Sequence, residues 1–280
     1  MAARQDGLAT ALSDDRRPSR SVAAIFGALL MTGGLVGCAT IPPDSGNDPR
    51  DPYETFNRHV NEFNDQVDRA VLKPVAQAYT AVLPQGVRDC INNIFANIAD
   101  VPIALNNLLQ GKPAEAVSDV CRVAVNSTVG LLGCFDVASR MGLEKHNEDF
   151  GQTLGRWGME PGPYLVLPLF GPSTIRDTLG RTVDTTYTDP VGYVDNIRVR
   201  NSLIGTRVVD TRASLLDAEK LLEQAALDRY LFIRNAYLQR RRNLVYDGDP
   251  PRLEDPDEEE IDEKPKADAS KDQPPPEPKR

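Results

Sequence analysis

Between residues 51 and 246 apolar side chains return at helical spacing, segment after segment. Phe56, Val60, Phe63 and Val67 share one face behind an Asp51-Pro52-Tyr53-Glu54 start. Asp51 is placed there to cap, Pro52 suits the first helical position, and Glu54 completes a capping-box-like pair. Val87, Ile91, Ile94, Phe95 and Ile98 predict a further amphipathic helix, with Pro74 and Pro84 punctuating the chain before it. Pro102 is expected to open a short helix that Gly111 ends, and Pro113 another, with Val117, Val120, Cys121, Ala124 and Val125 facing inward. Further on, Pro172-Ser173-Thr174 predicts a start for a helix bearing Ile175, Leu179, Val183 and Tyr187, broken by Asp189-Pro190. From Val199 to Leu244 the pattern is helical again, with Leu215, Leu216, Leu221, Leu222 and Ala225 before a restart at Asp228. There is no internal repeat, and the only predicted strand is Tyr164 to Leu167. The expected class is all-α.

One stretch, Glu148 to Asp177, interrupts this regularity. Glycines stand at 151, 155, 158 and 162, and each would cost a helix about 1 kcal/mol against alanine. The expectation is an irregular loop, leading into an uncharged extended segment from Tyr164 to Phe170. Pro168 argues against a central strand there. An extended apolar segment among helices has to be buried, in the protein's own core or in lipid. Because glycine tolerates positive φ, the loop at 151–158 is also a candidate hinge.

The ends of the chain differ from its body. Arg16, Arg17 and Arg20 precede an apolar run from Val22 to Val36, and LVGC at 35–38 closes it, so residues 1–37 are expected to be a signal peptide. Cys38 sits where a lipobox places its lipidated cysteine, with Ala39 after it. Residues 38–50 form a polar, proline-containing tether that can reach about 40 Å at most. No other stretch offers 18 uncharged apolar residues. Membrane contact is therefore expected through the anchor and amphipathic faces. Residues 247–280 are expected to be a disordered acidic, proline-rich tail. They hold 13 acidic and 6 basic residues, −7 of the chain's net −9, so the body is nearly neutral and nucleic acid is not an expected partner.

Candidate chemistry is sparse. Besides Cys38 there are Cys90, Cys121 and Cys134, which allow one disulfide and one free thiol in an oxidising compartment, or three buried thiols, without a preferred pairing. His59 and His146 have no second histidine or cysteine at ligand spacing, so no metal site is expected. No GxSxG elbow and no Gly-Lys-Ser/Thr phosphate loop occurs. His146 with Glu144, Glu148 and Asp149 reads as a solvated turn rather than an acid–base site, and no catalytic residue is expected. Trp157 and Tyr164 suit a membrane interface or core packing. Gln239-Arg240-Arg241-Arg242 suits either the helix dipole or lipid headgroups.

Four segments carry a resemblance: DPYETFNR at 51–58, NNLLQGKP at 106–113, the glycine-rich stretch at 148–177 and ALDRYLFIRNAYLQRR at 226–241. In this order they resemble the MlaA (VacJ) family of outer-membrane phospholipid-transport lipoproteins, over about Asp51 to Arg242. The resemblance implies a ring-like assembly of amphipathic helices with one short extended, glycine-rich, hairpin-like segment. It implies a lipid-anchored protein at the periplasmic face of the outer membrane, seated in the inner leaflet beside a trimeric porin. Such a protein takes mislocalised phospholipid from the outer leaflet through an amphipathic passage and hands it to the periplasmic carrier MlaC, maintaining lipid asymmetry. It needs no cofactor beyond the covalent lipid on Cys38, and phospholipid is its cargo. The alternative is a structural envelope lipoprotein that scaffolds a porin or a lipid-transport complex. By motif, the expected gate is Phe150, Gly151, Gln152, Thr153, Leu154, Gly155 and Gly158. The expected passage or membrane residues are Phe56, Asn57, Phe63, Asn64, Tyr164, Leu165, Val166, Leu167, Pro168, Leu169, Phe170, Arg176 and Asp177.

Overall fold

A computed structural model of the chain describes residues 47–225 and 228–251, without the side chains of 221–225. The expected signal segment 1–37, the lipidation site Cys38, most of the tether and the tail beyond 251 lie outside the described residues.

Among the described residues the fold is all-α with one small hairpin. Helix α1 (Glu54–Val67) passes through a π-helical turn at Asp68–Leu72 into α2 (Lys73–Val82). Pro74 has no N–H for the carbonyl four residues back, which accounts for the widened turn before it. Then follow α3 (Gln85–Leu109), α4 (Pro113–Thr128), and two short helices, α5 (Val137–Arg140) and α6 (Phe150–Arg156). Strands β1 (Tyr164–Leu167) and β2 (Gly171–Thr174) pair antiparallel, Tyr164 opposite Thr174 and Leu167 opposite Gly171. Helix α7 (Ile175–Val183) leads through a second π turn, and α8 (Ile197–Ser214), α9 (Leu216–Ala225) and α10 (Arg229–Val245) complete the order.

Several boundaries depart from the sequence expectation. Pro102 does not open a helix; it lies inside the continuous 25-residue α3. The turns on either side are held by burial of Phe95, Ile103 and Ala104 and by Asn106, which bonds the Pro102 carbonyl at 3.0 Å, so packing overrides the missing N–H. Pro172-Ser173-Thr174 is strand rather than helix start, and the helix begins one residue later with Thr174 as its cap, accepting from the Asp177 N–H at 3.2 Å. Asp228 does restart the last helix, accepting from the Leu231 N–H. The tether's last residues and the tail's first are bound to the body. Asp48 joins Arg234 at 2.9 Å, Arg50 accepts from the Tyr164 N–H at 2.8 Å, and Asp247 pairs with Lys112. Of the cysteines, Cys90 and Cys134 are bridged and Cys121 is free and exposed.

The larger departure is in what is buried. Among the described residues, buried polar and charged side chains outnumber buried apolar ones, twenty to eleven. Helix α4 shows the reversal in one element. Its buried residues are Ala116, Asp119, Arg122 and Asn126, while Val117, Val120, Cys121 and Ala124, expected to face inward, are exposed. Helix α7 likewise exposes Ile175 and Leu179 and buries Arg176, Asp177 and Gly180. The periodicity was real, but the apolar face points away from the fold. The buried polar face is tolerated because it is paired. Arg122 donates to Asp100, Asp136, Ser139 and the Leu143 carbonyl. Lys145 reaches the same Asp100. His146 is no solvated turn, since its Nδ1 lies 2.8 Å from Asp119 Oδ1. The apolar core is correspondingly small, Tyr164, Val166 and Tyr230 with Val60, Leu231, Tyr237 and Leu238 against them.

Candidate functional site

The hairpin is fixed to α1 by two asparagines. Asn57 donates to the Tyr164 carbonyl at 3.0 Å and accepts from the Val166 N–H at 2.8 Å. Asn64 donates to the Leu167 carbonyl at 3.0 Å and accepts from the Leu169 N–H at 2.7 Å. A side-chain amide carries the donor and acceptor of a peptide group, so each asparagine serves β1 as a neighbouring strand would. The spacings match. Seven residues of helix rise about 10.5 Å, and the three residues from Tyr164 to Leu167 span about 10 Å of strand.

Asp51, expected to cap α1, is instead wholly buried and makes no side-chain cap. Its carboxylate accepts from Asn57 at 2.8 Å, Tyr230 Oη at 2.5 Å and Arg234 at 3.1 Å, three donors that outcompete a cap. Arg58, stacked 4.4 Å from the centre of the Tyr230 ring, ties Glu54 to Asp228. In this way the start of α1, the hairpin and α10 are joined around one carboxylate.

A second centre joins α6, α7 and α10. Arg241 Nε and Nη2 meet Asp177 at 3.0 and 2.9 Å, and Nη1 and Nη2 meet Asp149 at 2.5 and 2.9 Å. Tyr237 Oη donates to Asp177 at 2.8 Å, and Arg176 Nε reaches it at 3.1 Å. Burial alone would raise both carboxyls, but the Arg241 guanidinium outweighs it and holds Asp149 and Asp177 below the usual range. Beside them Asp184 is raised by burial, against the Phe150 N–H it accepts at 2.8 Å. Arg241 is thus neither a dipole partner nor a headgroup ligand, the two readings its tripeptide suggested; its donors are spent inside the fold.

The stretch from Phe150 to Gly155 is helix, not irregular loop. Glycine is needed here for approach rather than freedom. A Cβ on Gly180 would lie 2.2 Å from the Gly151 nitrogen, one on Gly151 would lie 2.9 Å from Arg241 Nη2, and one on Gly155 would lie 2.8 Å from Arg176 Nη1. Close contact with α7 and Asp149 as N-cap, accepting from Gln152 N–H at 2.9 Å, hold a helix that propensity opposes. Gln152 and Thr153 are buried, and Thr153 donates to Asn106 at 2.8 Å. Leu154 is half-buried. Gly158, by contrast, has φ +93° and open space around it.

The remaining feature is a cleft of about 380 Å³ between the end of α1, the hairpin turn, α8, α9 and α10. Leu72, Leu169, Phe170, Pro172, Leu215 and Ile233 supply its apolar walls, and Asn64, Asp65, Asp68, Arg212, Glu219 and Arg229 its polar ones. Arg212 bridges Asp68 at 2.6 and 2.8 Å and Glu219 at 2.6 Å. Arg229 Nη1 meets Asp65 at 2.8 Å, while its buried Nε has no hydrogen-bond partner among the described residues. Burial raises Asp65 despite Arg229.

The structure therefore sorts the expected passage residues into separate places. Asn64, Leu169 and Phe170 line the cleft. Asn57, Tyr164 and Val166 are buried in the α1–hairpin joint, and Arg176 and Asp177 in the Arg241 centre. Phe63, Leu165 and Leu167 are half-buried, while Phe56 and Pro168 are exposed. Of the two burials expected for Tyr164 to Phe170, the protein's own core takes only Tyr164 and Val166, and Pro168, Leu169 and Phe170 are exposed. Alternation along β1 turns only Tyr164 and Val166 inward. The cleft's charged residues went unsuspected, since Asp65, Asp68, Arg212, Glu219 and Arg229 lie on α1, the π turn after it, α8, α9 and α10, far apart in sequence.

Together these features define an all-α protein with one small hairpin, a paired polar interior, exposed apolar faces on α4 and α7, and an amphipathic cleft. No helix among the described residues is long and apolar enough to cross a membrane. The chain belongs to the MlaA lipoprotein family, whose model matches residues 49–244. It is 34% identical over 234 residues to the intermembrane phospholipid transport system lipoprotein MlaA of Escherichia coli K12, covering 81% of this chain and 90% of that one. The protein of the same description from Haemophilus influenzae is 35% identical, over 80% and 91%. A solved structure described as "Structural basis for maintenance of bacterial outer membrane lipid asymmetry" superposes with a TM-score of 0.61 at 33% identity, covering 70% of this chain and 98% of that one.

Proposed function

We propose that this chain is an outer-membrane lipoprotein, anchored through Cys38, that removes mislocalised phospholipid from the outer leaflet and maintains lipid asymmetry. The cleft carries the reading. Its apolar walls suit acyl chains and its polar side suits a headgroup, so an amphiphile could leave the bilayer without stranding its charge in hydrocarbon. Arg229 Nε, buried and without a partner among the described residues, is a donor that a phosphate oxygen would satisfy. The exposed apolar faces of α4 and α7 fit a seat in the periplasmic leaflet, where they would regain the roughly 1.5–3 kcal/mol that burial gives each large side chain. Cargo would pass to a soluble carrier of the MlaC kind, beside a trimeric porin. No step of this makes or breaks a covalent bond. Of the expected gate residues, the reading assigns the movement to Gly158, supported by the close packing of Gly151 and Gly155.

The test is outer-leaflet phospholipid in cells lacking this chain, complemented with the wild type or with Leu215→Trp and Ile233→Trp, which narrow the cleft. Folded variants that are retained in the outer membrane yet leave outer-leaflet phospholipid high are expected. Normal clearance with both variants would remove the cleft from the path. Unchanged lipid in cells without the chain would leave the scaffold alternative.

A further inference from the structure

Five charged side chains line the cleft, and three of them are committed to charged neighbours. Arg212 gives Nε and Nη2 to the two oxygens of Asp68, and the same Nη2 to Glu219 Oε2 at 2.6 Å. Lys73, beyond the lining, reaches the other oxygen of Glu219 at 3.3 Å. All four of these carboxylate oxygens therefore have a donor. Asn64 is committed too, both ends of its amide to the hairpin.

Asp65 and Arg229 are not used up in this way. Asp65 lends Oδ2 to Arg229 Nη1, 2.8 Å away, and its Oδ1 accepts no hydrogen bond among the described residues. Arg229 Nε is buried and donates to nothing among the described residues. Burial holds the Asp65 carboxyl above the usual range. Asp68 adds to this, and the pull of Arg229 and Arg69 does not offset it. The cleft thus sets side by side a carboxylate short of positive charge and a guanidinium N–H short of an acceptor. Leu169, Phe170, Pro172, Leu215 and Ile233 stand around them as apolar walls.

We propose that Asp65 and Arg229 form a headgroup subsite that selects a phosphate joined to an ammonium, as in an amine-bearing phospholipid, over a phosphate joined to neutral hydroxyls. The phosphate takes Arg229 Nε, and the ammonium, which has only donors to give, takes Asp65 Oδ1. Charge separates the two classes of headgroup. With Lys73 counted, three carboxylates face three cations, so an anionic headgroup adds an unanswered negative charge beside Asp65. A zwitterion adds none. The apolar walls make a diacyl lipid, rather than a water-soluble phosphoester, the source of that headgroup. The inference rests on the reading that phospholipid enters this cleft, and it adds which headgroup is taken and through which atoms.

The mature, acylated protein is stripped of lipid in detergent and equilibrated with equal amounts of phosphatidylethanolamine and phosphatidylglycerol of the same acyl chains. It is then repurified and its bound lipid counted by mass spectrometry. Lipid retained by Leu215→Trp, which narrows the cleft, is subtracted as surface lipid. Phosphatidylethanolamine should exceed phosphatidylglycerol about tenfold, the effect of one charge-assisted hydrogen bond. Asp65→Asn, which keeps an oxygen for Arg229 Nη1, should bring the ratio to parity, its melting temperature reporting that it folds. No lipid beyond that on Leu215→Trp, equal binding by the wild type, or a ratio unmoved in folded Asp65→Asn would each overturn the subsite. Varying the lipid instead of the protein avoids any folding artefact. N-acetylated phosphatidylethanolamine keeps the phosphate and loses the ammonium, and wild type should bind it no better than phosphatidylglycerol. A preference as large as that for the free amine would overturn the role given to Asp65. Water-soluble glycerophosphoethanolamine at equal concentration should leave the bound lipid in place; displacement would overturn the lipid as the source of the headgroup. Should the cleft show no selection while cells lacking the chain accumulate outer-leaflet phospholipid, the subsite fails and the transport reading stands. Should the cleft select while those cells keep normal lipid asymmetry, the transport reading fails and the subsite stands.

Discussion

Arg241 closes on Asp177 through two parallel bonds, Nε to Oδ2 at 3.0 Å and Nη2 to Oδ1 at 2.9 Å, across 64 residues of sequence. The same guanidinium holds Asp149, so one side chain of α10 fixes the caps and first turns of α6 and α7. Arg241→Met would leave half-buried Asp149 without its cation and buried Asp177 with Arg176 alone. It should cost about 3–5 kcal/mol in urea unfolding. Arg240→Met next to it, on an exposed residue, should change stability by less than about 0.5 kcal/mol.

The same centre predicts a pH dependence with opposing signs. Asp149 and Asp177 have folded pKa values below their unfolded ones, so their contribution is complete above the unfolded value, about 4. It is lost as pH falls through the folded values. Asp184 has a raised folded pKa, so it lowers stability above that value and the penalty is relieved as pH falls through it. Asp184→Asn keeps an acceptor for the Phe150 N–H and removes the charge. Its stability relative to wild type should be highest at neutral pH and should shrink as pH falls toward 4. A wild-type-minus-variant difference that does not vary with pH would contradict the assignment.

Asn57 and Asn64 act as a second strand for β1, and amide exchange can see this directly. In Asn57→Ala the Val166 N–H loses its acceptor, and in Asn64→Ala the Leu169 N–H does. Each should exchange faster by at least tenfold while amides in α4 keep their protection. Asn57→Ala should cost about 2–3 kcal/mol, because it also strands a lone pair of buried Asp51. Asn64→Ala, half-buried, should cost less.

Two helical glycines should respond to alanine in opposite directions. Gly180→Ala would drive a methyl group to 2.2 Å from the Gly151 nitrogen and 2.5 Å from its Cα, backbone that cannot step aside. Loss of about 3 kcal/mol or more is expected, through separation of α6 from α7. Gly205, inside α8, has nothing within 4 Å of the added carbon. Gly205→Ala should stabilise by about 0.5–1 kcal/mol, read as a higher melting temperature.

The sequence by itself determined the helical class, most helix ends and the family, because these rest on local chemistry. Periodicity, the cap at Asp228 and the proline start at Pro113 act within a few residues, whereas packing overrode the starts expected at Pro102 and Pro172. It also singled out Asn57, Asn64 and Asp177, whose positions proved to be the joints of the hairpin and of α7. What it could not determine was the direction each helix faces. An apolar stripe on α4 implies a partner phase for Val117 and Val120, and only the tertiary contacts decided that this phase lies outside the fold. The same contacts decided that Arg122, Asp119 and Arg241 could be buried, since a charge is tolerated inside only when a partner from distant sequence arrives at hydrogen-bond distance. They turned Gly151 and Gly155 from loop formers into helix residues, because the side chains of Asp177 and Arg241 at the first, and of Arg176 and Val245 at the second, needed the space. And they chose Cys90 for Cys134, a pairing that requires two chain segments to meet and that no spacing along the chain encodes.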